Sequence, residues 1–506
     1  MSIKMEADVV VVAAGMSGLS AAVQAQELLN ERGGGKVIAF EKSGTTGGAA
    51  NMGMALFAVE SRLQKEDMYY WTKDEAFLDF MEYTHWRADA KLVRRWFNMS
   101  ADTIDWLMGM GTQFQGVYKY FKNSHKTQHI IKVPGTNKPT ERCASVNIKN
   151  MTDYGVELGV DFQFHTAVKD LIKGDKGQII GVKAEREDGT PIECMANAVI
   201  VATGGIGNNV KMIEERLGFK WGEDMFTFRI PGLDGDGMNM VWRAGGKEAP
   251  VTMEVTYNTP GVTDLFKTLS ETMRQPNLMV NLDGKRFMNE FYMDNTTYTG
   301  NSLLQQKKNC GFSIIGSEIL DYYKQNGLDY ITYHHGIRTL DKWEHEKKLY
   351  LAGEQSDVEN SVFASEDKDV SYSENVERNF WEFDSLEELC ATTGINLENL
   401  KKTLDEYNDM AGGYDWQFCK PARYLKAVEG PKYYVARHFP SGYGSLGGIK
   451  VNVKNQALAE DGSVIPGLYA AGEVTGGFHG SNRLGGNAIS EVITTGRNAA
   501  TNLLAE

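Results

Sequence analysis

The chain has 506 residues, long enough for two or more domains. Its 42% hydrophobic and 24% charged content excludes a disordered or fibrous chain. A net charge of -14 argues against a protein whose main work is to grip phosphate backbones, so no nucleic-acid partner is expected. Cys143, Cys194, Cys310, Cys390 and Cys419 lie far apart, without C-x-x-C, C-x-x-C-H or iron-sulfur spacing, and read as reduced structural residues carrying neither haem nor cluster. The nine histidines, including the adjacent His334 and His335, form no metal-binding pattern, and no metal is expected. Met1 to Ala7 is polar and no apolar run reaches the ~18 residues of a membrane span, so the expectation is a cytoplasmic chain with no leader.

Asp8 to Val12 is a continuous β-branched run of the kind found in a buried parallel strand. Ser17 to Leu29 alternates small and apolar residues at helical spacing, and Lys36 to Lys42 supplies the next strand, completing a βαβ unit. The turn between the first strand and the helix matches the dinucleotide fingerprint G-x-G-x-x-G at Gly15 and Gly18, with Ala13 in place of the first glycine. One methyl there is tolerable provided φ stays negative, and Gly15, which must admit the pyrophosphate, is intact. Glu41 ends the second strand, close to the ~20 residues beyond the last glycine at which an acid reads ribose hydroxyls.

Ala198 to Asn209 is a second buried strand ending in a glycine pair, and Gly467 to Ser490 places another strand before a glycine-rich turn and a helix. Together with EKSGTTGGAANMG, LDGDGMNM, VNLDGKRFMNE and GSLGG, taken in order over nearly the full length, these stretches resemble the soluble FAD-dependent fumarate reductase and succinate dehydrogenase flavoprotein family. The resemblance implies an α/β fold: a Rossmann-like FAD-binding domain split between 1-251 and 445-506, with an α+β clamp domain inserted at 252-444. It implies cofactor contacts from Ala14, Gly15, Ser17 and Gly18, from Glu41 and Lys42, and from Thr46, Gly47, Gly48, Ala49, Met52 and Gly53. Ala202, Thr203, Gly204 and Gly205 would follow, then Asp236 near the flavin, Glu473 on the ribityl chain, and Arg483, Gly486, Asn487, Ala488 and Ile489 in the C-terminal block. No histidine lies between Ser43 and Ser61, where membrane-bound relatives attach flavin, so FAD should be held noncovalently.

The same resemblance implies that Arg483 binds a substrate carboxylate, and that Glu271 and Arg274, three residues apart, relay a proton. Ser270, Gly444 and Tyr257 are the further expected substrate contacts. Three groups of the family are missing. No arginine stands between Arg286 and Arg338, the expected histidine pair is Tyr443 and Gly444, and a further histidine is replaced within Glu254 to Gly261. Tyr443, Tyr298, Tyr292 and Tyr257 lie in or beside the altered stretches and could supply a phenol, as in the related ketosteroid dehydrogenases. The expectation is therefore an FAD-dependent reductase of a C=C bond conjugated to a carboxylate or ketone, on a substrate bulkier than fumarate. A dehydrogenase working in the opposite sense, a fumarate reductase proper and an electron-carrying flavoprotein subunit stand as alternatives. With no haem motif and no second dinucleotide cradle, a separate electron-donor protein or flavin reductase is expected.

Overall fold

The computed structural model describes residues 2–120, 124–135, 143–227, 229–262, 266–329, 340–354, 378–480, 483–484 and 486–505; His334, His335 and Arg338 lie outside them. The chain divides into two compact units, one of Met1–Leu217, Arg229–Glu254 and Gly444–Glu506, the other of Gly218–Phe228 and Val255–Tyr443. The sequence expectation draws the limits at 251 and 445 and assigns Gly218–Phe228 to the first part. The structure places that stretch in the second unit because Phe226 pairs with Ser441 and packs into that unit's core.

In the first unit, β1 (Ile3–Val12) pairs in parallel with β2 (Val37–Phe40), Val9 opposite Val37 and Val12 opposite Phe40. On its other side it pairs in parallel with Pro191–Val201, which in turn pairs with Val464–Ala470. Val9 to Val12 are buried on both faces, which is why this strand reads as an unbroken apolar run rather than an alternation. The helix α1 (Met16–Glu31) lays Ala21, Ala22, Ala25 and Leu29 on the sheet, alongside Ala499 and Ala500 of the C-terminal helix Ala488–Ala505. Small residues on both helices allow that close packing.

The second unit builds its sheet on the strand beginning at Tyr433. Gly311–Gly316 and Phe380–Phe383 flank it antiparallel, with Phe312 opposite Arg437 and Phe380 opposite Ala436. Trp343, Phe312, Phe380 and Leu269 fill its core. The five cysteines are unpaired; four are buried, and Cys419, against the expectation of a structural role, is exposed. No helix among the described residues is long and apolar enough to cross a membrane.

A buried ion cluster ties this unit together. Arg286 donates from Nε and Nη2 to both oxygens of Glu290 at 2.8 and 2.7 Å, and from Nη1 and Nη2 to both oxygens of Asp415 at 3.0 and 2.8 Å. Lys420 stands 3.6 Å from Glu290 and donates to the Tyr407 hydroxyl; burial pushes its ammonium down to about 8. Two carboxylates then face one permanent cation, so Arg286→Met would strand both acids out of water. The expected loss is about 3–5 kcal/mol of stability, read from the urea midpoint of the purified protein.

Candidate active site

The fingerprint turn lies at the mouth of a cavity of about 320 Å³ in the first unit. Ala13 leaves β1 with φ 77, not the negative value expected from sequence. Three hydrogen bonds impose it. The Ala13 N–H donates to the Phe40 carbonyl at 2.8 Å, the Ala14 N–H to Glu41 Oε2 at 2.7 Å, and the Gly47 N–H to the Ala14 carbonyl at 2.8 Å. The chain must turn sharply to meet all three. A Cβ at Gly18 would collide with the Ala13 carbonyl, so the third fingerprint glycine is fixed by the first position's geometry.

Glu41 is buried at the cavity wall, its Oε1 accepting the Ser43 N–H at 2.8 Å while Oε2 holds Ala14. Two backbone amides orient the carboxylate and leave lone pairs for ribose hydroxyls. Lys42 follows, bridging Asp234 at 2.9 Å and Asp236 at 2.8 Å, and its ammonium is raised by those two acids against the opposing effect of burial. This pairing places Asp236 beside Lys42 in the cavity wall. The amides opening α1 have no side-chain cap at Gly15 and are suited to a phosphate.

Gly15, Ser17, Glu41, Lys42, Gly47, Gly48, Ala49, Ala202, Thr203, Gly204, Asp236 and Glu473 all line this one cavity. The remaining expected contacts are not part of its lining. Thr46 bonds Thr152 at 2.7 Å, Met52 is buried, Gly53 packs on Ile489, and Gly486 packs on Gln128. Asn487 immediately precedes the helix that Ala488 and Ile489 begin. Ser43, Ala50 and Leu233, from the quoted motifs, also line the cavity, and Thr166 to Val168, Pro231 and Gly232 do so without a motif to announce them.

Glu473 is buried, its Oε1 accepting the Ser445 N–H at 2.9 Å and hydroxyl at 3.2 Å. A side chain at Gly205 would strike both Glu473 and Ser445, and one at Gly444 would press on the same carboxylate. Arg483 is buried and ion-paired with Glu254, an acid in the strand Glu248–Asn258 that the sequence reading did not assign. Burial raises both Glu473 and Glu254 above the usual carboxylate range, while Arg483 pulls each back.

Within the second unit, Ser270 and Glu271 lie on the short helix Lys267–Met273, and Arg274 caps it. The guanidinium of Arg274 stands over the Tyr257 ring, 4.8 Å from its centroid. Tyr257 is buried, whereas Tyr292, Tyr298 and Tyr443 are 44%, 43% and 39% exposed.

The residues fit a flavin adenine dinucleotide. Glu41 suits a ribose, the uncapped helix suits a diphosphate, and the buried Thr203 Oγ1 at the cavity wall has no partner within the protein. Fold and cradle define an FAD-dependent oxidoreductase. The FAD binding domain family matches residues 8–489, and the chain belongs to that family. It is 28% identical to the vinyl phenol reductase of Lactiplantibacillus plantarum, over 97% of this chain and 95% of the relative. It is equally 28% identical to the fumarate reductase (cytochrome) of Shewanella frigidimarina, over 97% of this chain and 76% of the relative. Among solved structures, the 3-ketosteroid-delta4-(5alpha)-dehydrogenase of Rhodococcus jostii shares the fold at a TM-score of 0.73 and 20% identity, covering 99% of this chain and 97% of that one.

Ala13 carries the strain of a left-handed residue, about 1–2 kcal/mol, against the 0.4–1 kcal/mol of chain entropy that a glycine adds to the unfolded state. Ala13→Gly is expected to stabilise the protein by about 0.5–1 kcal/mol with FAD retained, read by thermal melting and flavin absorbance.

Proposed function

We propose that the protein reduces a carbon-carbon double bond conjugated to a carboxylate or ketone, on a substrate bulkier and less charged than fumarate. The observation that carries the reading is the ion pair of Arg483 with buried Glu254. The arginine that would receive a substrate carboxylate is already neutralised by a residue of this chain. The positions of the family's imidazole pair hold Tyr443 and Gly444, which offer no cation. A dianion entering such a site finds little to balance its second charge. A vinyl phenol, the compound named for the Lactiplantibacillus relative, is an aryl alkene with no carboxylate, which supports the same direction.

Bound FAD would supply the hydride chemistry. Glu41 would hold the adenosine ribose, the amides of α1 and of Gly47 to Ala49 the diphosphate, and Glu473 the ribityl hydroxyls. Arg483 would stabilise negative charge developing on the substrate carbonyl or carboxylate, freed by the proton that the raised Glu254 carboxyl is disposed to take. Ser270 and Gly444 would be among the substrate contacts, and Glu271 and Arg274 would handle the proton. Electrons would arrive from a separate donor protein or flavin reductase.

FAD should be held without a covalent bond, since no histidine stands in the stretch after Ser43 where attachment is expected. Acid precipitation is expected to leave the yellow colour in the supernatant as FAD; flavin remaining in the pellet would refute this.

The reaction itself is tested by reducing the holoprotein without air and mixing it with fumarate, urocanate, cinnamates, vinyl phenols and steroid enones while following flavin reoxidation. Aryl or cyclic substrates should reoxidise it faster than fumarate, and Arg483→Lys should lose about 10²–10³ in rate with FAD still bound. Faster turnover of fumarate than of every bulky substrate would sink the reading. Oxidation of a saturated ketone with no alkene reduced would reverse the direction.

A further inference from the structure

In the first unit, Lys91, Arg94 and Arg95 of the helix Ala90–Gly109 line an open groove of about 440 Å³ together with Phe77, Asn98 and Val453. No acid is among its described lining residues, a local reversal of sign in a chain of net charge -14. Arg94 lies over the Phe77 ring, 4.0 Å from its centroid, and pairs with Asp74 at 2.6 Å. Lys91 and Arg95 are exposed and meet no carboxylate among the described residues; Arg95 donates instead to Asn498 at 2.8 Å. Asp89, the nearest acid in sequence, caps the helix and is answered by Lys450 at 3.2 Å. Cations in a first helical turn oppose the dipole, so helix stability does not account for them. The groove also has apolar surface. Val453 is 41% exposed, and Trp86, edge-on to Phe77 at 6.3 Å, is 57% exposed.

Arg95 and Val453 also wall a small void of about 10 Å³ with Trp96, Phe478, Thr494 and Asn498. Trp96 and Phe478 are buried, and the Trp96 N–H donates to the Ser490 hydroxyl at 3.1 Å. Ser490, Thr494 and Asn498 belong to the helix Ala488–Ala505, which gives Val492 to the lining of the cofactor cavity. By helical spacing, Thr494 and Asn498 fall on the far side of that helix from Val492. The next residue, Thr495, accepts the N–H of Gly472 at 2.9 Å, beside the Glu473 that lines the cavity. One helix, about 10 Å thick, therefore stands between the groove and the cofactor cavity.

We infer that this groove is the docking surface for the electron donor, a small protein whose acidic face surrounds a one-electron redox group. This rests on the reading above that electrons arrive from a separate carrier. Lys91, Arg94 and Arg95, with no acid among the described lining, attract a carboxylate-bearing face, and Val453 and Trp86 supply the apolar contact that expels water. A free nucleotide is a poorer match, because Lys91, Arg95 and Asn98 are all exposed and give a base no enclosed seat. Each docking passes one electron from the carrier to the bound flavin. Two dockings and one proton from water complete the reduction, and two carriers leave oxidised.

The test follows flavin reduction without air in the FAD-loaded protein. The acidic carriers are a flavodoxin and a plant-type ferredoxin, each reduced beforehand and freed of reductant, and reduced methyl viologen is the donor that needs no docking. With both carriers the rate should fall at least about tenfold as salt rises from about 20 to about 300 mM, as for steered association. Lys91→Glu/Arg95→Glu should slow both carriers about tenfold or more at low salt and flatten the salt dependence, while FAD content and the viologen rate hold. Val453→Glu, which keeps every cation, should slow the carriers by at least about threefold, so the answer does not hang on one variant folding. Lys176→Glu/Lys183→Glu makes the same change of net charge on exposed lysines elsewhere in the first unit and should leave the carrier rates within about twofold. Unchanged carrier rates in the groove variants, equal slowing in the control pair, or no reduction of the wild type by either carrier would overturn the inference. So would rapid reduction by NADH that only the groove variants lose, which would make the groove a nucleotide site. A flavin reduced by the carriers as expected but reoxidised by no alkene would leave the docking surface standing and overturn the reaction proposed above.

Discussion

The first helix can present its opening amides to the cavity only because two stretches of backbone are allowed to touch, the carbonyl of Ala13 and the α-carbon of Gly18. That contact draws α1 down onto the sheet and aims its N-terminus, and the rest of the cradle is arranged around it. Ala13 is turned into the left-handed region to make it, and the amide of Ala14 is thereby delivered to Glu41. The acid at the end of β2 thus has two roles that cannot be separated by deletion: it secures the turn and it presents negative charge to the cavity. Removing Glu41 would loosen the helix N-terminus as well as any ribose it holds, so reduced cofactor affinity in such a variant measures both.

A second concentration of charge, also in the first unit, works by opposite means. Glu473 and Glu254 are deeply buried, and Arg483 is the cation that tempers both. Two buried acids and one arginine carry an excess of negative charge if all are ionised, and burial relieves it by favouring protonation of an acid. An anion arriving at Arg483 therefore competes with Glu254 for the guanidinium. A single carboxylate or a developing enolate can win that contest by coupling to uptake of one proton. A second full charge on the same ligand has no such relief.

The βαβ unit was legible because its signals are local: β-branched runs, helical spacing and an acid at a set distance, all fixed within the first 41 residues. The sign of φ at Ala13 was not, because it is imposed by hydrogen bonds to Phe40 and Glu41 rather than by the residue's own preference. The place of Asp236 depended on a lysine nearly two hundred positions away. Glu254 as the partner of Arg483, and Asp415 as the partner of Arg286, are likewise products of chain reversal, and no spacing rule connects them. The pair Glu271 and Arg274 was visible at once from its spacing, whereas the stacking of Arg274 on the Tyr257 ring was not.

Were a phenol to take the missing arginine's place, more would change than the acid that delivers a proton. An arginine is a fixed positive charge that attracts an anionic substrate and remains charged until the transition state; a phenol is neutral until it has given its proton. On the proposed reading, the change of donor and the loss of the imidazole pair both remove positive charge from the substrate's surroundings, and Glu254 cancels the cation that remains. The three departures are thus mutually consistent, because each alone would leave a dicarboxylate under-balanced while all three together suit a ligand bearing one negative charge or none.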